Sequence, residues 1–211
     1  MILQALLSSF FAGLLELDNV QAGQFLISRP ALVGPLLGWL NGCPLEGAKI
    51  GLLTELIYMD FIPIGGVVPP NGTVAAAAGV LGFAWAGLPE SAAFFFGILA
   101  GFLYGGVESR LRVSRAGCIP GVEGEVKSGA VRLDSRLAGS LLTEGVITGL
   151  FIFLFSGLLA FAAALGGQYA EYCPLSGKAL SGASDLAYSL MPWLGLSGLY
   201  FRFRTQVYKK G

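Results

Sequence analysis

Histidine is missing from all 211 positions. That absence excludes a His-ligated metal, a Ser–His or Cys–His couple, and a phosphohistidine carried by this chain. Charge is scarce too: 12% of residues are charged, roughly half of what a soluble domain needs to face water. Lysine plus arginine equals aspartate plus glutamate at 13 each. No basic stripe tracks a phosphate backbone, so a nucleic-acid partner is excluded. The three cysteines, Cys43, Cys118 and Cys173, are scattered and form no CxxC pair. Neither a disulfide framework nor a zinc site follows from them, and no cofactor is implied.

What is present is apolar and small. Hydrophobic residues make up 55% of the chain and mean hydropathy is +0.72. Glycine occupies 32 positions of 211, about twice the usual share. Low charge with high glycine suits helices packed closely in lipid, where small residues let backbones approach. The reading is an all-α integral membrane protein in one domain, a polytopic helix bundle with broken or re-entrant helices. Apolar segments run over 2–17, 31–60 (interrupted), 72–88, 91–107, 137–166 and 179–201. The first has no basic flank and no obvious cleavage site, so it reads as structure rather than as a removed signal peptide.

Ten of the thirteen basic residues fall in two places, six in the polar stretch 108–136 and four in the tail 202–211. Basic segments stay cytoplasmic, which predicts a cytoplasmic loop at 108–136, a cytoplasmic tail at 202–211, and an external turn at 87–90. Small-xxx-small spacing recurs at Gly34/Gly38/Gly42, Gly97/Gly101/Gly105 and Gly145/Gly149. It serves packing within the chain or between subunits.

Polar groups concentrate in the first third. Glu16, Asp18, Glu55 and Asp60 lie in apolar surroundings, with Asn19, Gln21, Gln24, Arg29 and Asn71 nearby. A carboxylate in mid-bilayer costs about 2.5–3.5 kcal/mol, so these groups line a cavity or face a subunit. Over 137–201, by contrast, Glu144 and Asp185 stand isolated. Pro30, Pro35, Pro63, Gly65, Gly66 and the Pro69–Gly72 run interrupt the backbone in the same region. Such breaks persist in a membrane only where they are buried or border water, and in transporters they commonly mark the substrate. Carboxylates with amides suit a polyhydroxylated ligand. Other uses stay open: Arg29 in a structural ion pair, Glu55 in a ligand or proton role, Asp18 as a helix cap, Asp60 at an interface.

The motifs LDNVQAGQFLISRP (17–30) and GAKIGLLTELIYMDFIPIGGVVPPNGTVAAA (47–77) resemble the mannose-type (mannose/fructose/sorbose) IIC permease subunit of the bacterial sugar phosphotransferase system. The likeness is carried by Leu17–Asp18, Gln24, Arg29–Pro30, Gly47/Gly51/Glu55–Leu56 and Pro63 through Asn71. It is dense over 13–80, and the chain ends before that family's last hydrophobic segments. The resemblance implies a sugar-binding membrane subunit, not itself an enzyme, in the bacterial cytoplasmic membrane. Its partners would be a IID membrane subunit and IIB and IIA cytoplasmic phosphocarriers, in an oligomer. It places sugar contacts at Asp18, Gln24, Glu55 and Asn71, with Asn19 and Gln21 nearby. Two other classes fit the composition: the capture subunit of an energy-coupling-factor transporter, and a non-transporting regulatory subunit.

Overall fold

The computed structural model describes residues 1–19, 23–59, 68–127, 133–169 and 174–208. Gln21 and Asp60, with Pro63, Gly65 and Gly66, lie outside the described residues. Among the described residues seven helices follow one another: α1 (Ile2–Glu16), α2 (Pro30–Leu40), α3 (Pro44–Tyr58), α4 (Gly72–Ala84), α5 (Glu90–Lys127), α6 (Leu133–Tyr169) and α7 (Pro174–Tyr208). No strand occurs among the described residues.

Local chemistry sets the boundaries. Pro30 and Pro44 stand in the first turns of α2 and α3, where a missing N–H costs nothing and the fixed φ favours a helix. The Asn71 side chain accepts from the Val74 N–H at 3.0 Å and caps α4. Between α2 and α3 the chain reverses at Gly42, whose φ of +79° is open to glycine at no steric cost.

The glycine stripes stitch helix pairs inside the chain. A β-carbon on Gly34 would lie 2.3 Å from the Gly47 carbonyl, one on Gly97 2.4 Å from the Ala75 carbonyl, and one on Gly13 2.3 Å from the Gly145 carbonyl. The pairs α2/α3, α4/α5 and α1/α6 are therefore in backbone contact and run antiparallel. Around them lies a core that includes Val33, Leu37, Ile50, Phe94, Tyr104 and Ile152. α4 sits at its centre, with Val74 through Ala78 fully buried.

Helix lengths fall into two groups. α1 to α4 have 11–15 residues, about 17–22 Å at 1.5 Å per residue. α5, α6 and α7 have 38, 37 and 35 residues, well beyond the roughly 20 that span hydrocarbon. The excess of α5 takes up the polar stretch: residues 108–136, expected to be a loop, are helical through Lys127 and again from Leu133. Pro120 sits inside α5, where it removes one helix bond. The surrounding residues are mostly exposed, so water can satisfy the freed carbonyl and the helix runs on.

Candidate substrate site

The ends of the short helices converge. The C-termini of α1 and α3 and the N-termini of α2 and α4 meet at one level, beside Glu108 of α5 and Glu144 of α6. The described parts of the two interruptions, 17–19 with 23–29 and 68–71, therefore lie close together. The Thr73 hydroxyl donates to the Ser28 carbonyl at 2.6 Å and ties them together. A cavity of about 80 Å³ lies between them, lined by Asn19, Ser28, Arg29, Glu55, Tyr58, Asn71, Thr73, Glu108, Arg112 and the prolines 30, 69 and 70. That is room for several waters' worth of polar groups.

Glu55 is a pivot of this cavity. One carboxylate oxygen accepts from Arg29 at 3.3 Å and the other from the Ala31 N–H at 3.5 Å. It thus stands at the N-terminus of α2, where backbone N–H groups and the helix dipole favour negative charge. Its side chain is 20% exposed and that of Arg29 53%, so the pair opens to the cavity rather than closing on itself.

Asn71 does two jobs. Its carbonyl caps α4, while its amide nitrogen donates to Glu16 at 2.8 Å and to Glu108 at 3.2 Å. Asn71, Glu16 and Glu108 are all buried. Arg112 completes the group by donating to the second Glu108 oxygen at 2.5 Å. One amide therefore holds two carboxylates apart and satisfies both.

Asp18 is used differently. Its carboxylate accepts the N–H groups of Phe25 and Ile27 at 2.7 Å each and of Ser28 at 3.4 Å. It neither lines the cavity nor caps a helix; it folds the 23–28 segment back on itself. That fold is tight enough to hold Gln24 and Leu26 at φ of +54° and +67°, a region that non-glycine residues enter at a cost of about 1–3 kcal/mol. Gln24 is exposed and lies outside the cavity lining, whereas Asn19 is part of it.

Two expectations of isolation fail. Glu144 is buried and pairs with Arg115 of α5, the second guanidinium nitrogen at 3.1 Å. Asp185 accepts from the Ser91 hydroxyl at 2.5 Å. Both partners come from distant sequence, which the local pattern cannot show. Tyr58, Thr73, Glu108 and Arg112 also join the cavity without having been singled out. Glu108 and Arg112 were hidden in the charged stretch, where i,i+4 spacing of opposite charges is the one signal they left.

Half-length helices meeting at a charged cavity, beside long apolar helices, define a membrane permease. The family described as the PTS system sorbose-specific IIC component matches residues 2–197, and the chain belongs to that family. It is a sugar-translocating IIC subunit of a sugar phosphotransferase system. No curated protein matches. Among the solved chains that share the fold are two at 14% identity. One, described only as a membrane protein, superposes with a TM-score of 0.72 over 96% of this chain and 78% of its own. The other, from the mannose transporter ManYZ in complex with microcin E492, gives 0.65 over 96% and 79%.

Proposed function

We propose that the cavity between the two interruptions is where the sugar binds, with Glu55 and Asn19 offering hydrogen bonds to its hydroxyls and Asn71, both of whose amide hydrogens go to Glu16 and Glu108, offering only its carbonyl as an acceptor. The observation that carries this is Glu55: a carboxylate on a helix inside an apolar bundle, engaged by Arg29 and a helix N-terminus yet still open to the cavity. A carboxylate accepts from neighbouring hydroxyls, and an amide both donates and accepts. Asp18 serves indirectly by shaping the segment that presents Asn19 and Arg29. Gln24, exposed on the same segment, completes the set, together with Gln21, which lies outside the described residues.

The basic segments 108–136 and 202–211 face the cytoplasm of a bacterial inner membrane, following the positive-inside rule. Sugar enters from the opposite side, near Gly42 and Gly87, and reaches the cavity at the cytoplasmic level. There a IIB subunit, charged by IIA, phosphorylates it from a phosphohistidine, which this chain lacks. The product's charge prevents return. A IID subunit shares the membrane complex, the partner that membership of a IIC family implies. Family membership favours this reading over the energy-coupling-factor alternative.

The test is sugar uptake in cells supplying IIA, IIB and IID, with Glu55→Gln and Glu55→Ala. Uptake should fall strongly in both while the protein still reaches the membrane. Wild-type rates in both would overturn the assignment. Complex formation with IIB but no accumulation by the unaltered chain would favour a regulatory subunit.

A further inference from the structure

A second recess lies away from the sugar cavity, along the seam of α3 and α7. Its volume is about 290 Å³, and its walls include Leu56, Ile57, Met191, Leu194 and Leu199. Glycine shapes it. At Gly195 the two helices touch, since a β-carbon there would meet that of Leu56 at 2.8 Å. Three residues later Gly198 faces open space, so the helices diverge and the seam becomes a slot. From Met191 to Arg202 the slot follows α7 for about 16 Å.

Among the described residues that line the slot one is charged, and it is at one end. Arg202 lines it there and reaches across to the Met59 carbonyl at 3.4 Å. Arg204, exposed, lies just beyond. Apolar walls give water no partners, and in a membrane protein the medium available to fill such a slot is hydrocarbon. A long apolar trough closed by a guanidinium complements one molecule in that medium, a lipid with a negative headgroup. Basic recesses between membrane helices bind such headgroups, and the planar guanidinium matches phosphate geometry.

We propose that the α3/α7 slot binds the acyl chain of one anionic phospholipid, with its headgroup phosphate on Arg202. Leu56 and Glu55 are neighbours on α3, so a chain seated on Leu56 and Met59 braces the helix end that presents Glu55 to the other side. The slot thereby joins lipid composition to the geometry of the cavity without sharing a residue with it.

Native mass spectrometry of the full chain, titrated with phosphatidylglycerol and phosphatidylcholine, tests this. One phosphatidylglycerol should be retained with about fivefold preference, the worth of one basic side chain near an anionic surface. Arg202→Gln should abolish the preference, Arg202→Lys should keep part of it, and Gly198→Leu should weaken retention of both lipids by filling the slot. Equal retention of the two lipids by the unaltered chain would overturn the proposal. So would unchanged preference in a folded Arg202→Gln. Should Arg202→Gln fail to fold, Gly198→Leu decides, since unaltered retention there rejects the slot. Cross-linking of Gly198→Cys to a co-expressed membrane subunit would overturn it in favour of a protein occupant.

Discussion

Asn71 and Gly101 meet backbone to backbone. The Asn71 N–H donates to the Gly101 carbonyl at 3.0 Å, and the Asn71 carbonyl lies 2.5 Å from where a β-carbon on Gly101 would stand. Residues 69–71 are thus seated directly on the glycines of α5, and Asn71, the donor to Glu16 and Glu108, takes its position from that contact.

Gly101→Val should therefore unseat Asn71. Overpacking a tight contact costs about 1–3 kcal/mol, and here the opposing atom is backbone that cannot rotate away. A clear drop in thermal unfolding temperature is expected, with loss of sugar binding. Gly139→Ala, at a position facing open space, serves as control and should leave both unchanged.

Asn71→Leu should destabilise more than the loss of a helix cap. The cap is worth about 1 kcal/mol, but Glu16 and Glu108 also lose a buried donor, at about 1–3 kcal/mol for each group left unsatisfied. Adding Glu16→Gln should recover part of the loss, because it removes one stranded charge. A double-mutant cycle of thermal unfolding in detergent measures the coupling. Strict additivity would show that the amide does not bridge the two acids.

Arg29 and Glu55 should separate stability from transport. The pair is partly exposed, and exposed ion pairs contribute about 0–1 kcal/mol, so Arg29→Ala should barely change the unfolding temperature. Uptake should fall nonetheless, because Glu55 loses the group that aims it. If the double variant Arg29→Ala/Glu55→Ala transports normally, the pair has no transport role.

The opposite end of the bundle should behave as an anchor for α7. Glu90 accepts from Lys49 of α3 at 3.2 Å and from Tyr188 of α7 at 2.6 Å, and the Tyr188 ring also stacks edge-on against Phe94. Glu90→Ala should raise hydrogen exchange in α7 around 184–199 while α1, which makes no contact with Glu90, keeps its protection. Uniform exchange across all helices would contradict a local anchor.

The sequence disclosed the helix pairs better than the charges. Gly34/Gly38 and Gly97/Gly101 announced close packing, and the prolines at 30 and 69–70 announced the interruptions, because backbone geometry is written locally. Partners of charged groups are not local. Glu144 looked solitary because Arg115 arrives from another helix, and Asp18 looked like a ligand because the backbone donors it accepts from carry no side-chain signature. The 108–136 stretch read as a loop from its polarity and basic charge, yet with mostly exposed surroundings α5 runs on past Pro120 to Lys127. Of the named sugar-contact residues, Asn19, Glu55 and Asn71 meet at the cavity. Asp18 and Gln24 stand in the loop that frames it, and Gln21 lies outside the described residues.

The short helices carry a consequence for the barrier itself. Where α1 to α4 stand, helix covers about two-thirds of the bilayer's oily depth, with the cavity at one end. The partition a solute has to pass there is a thin septum, so a slide of the α2/α3 hairpin by about one helical turn, roughly 5 Å, is comparable to a quarter of its whole thickness. In this architecture a modest displacement goes a long way.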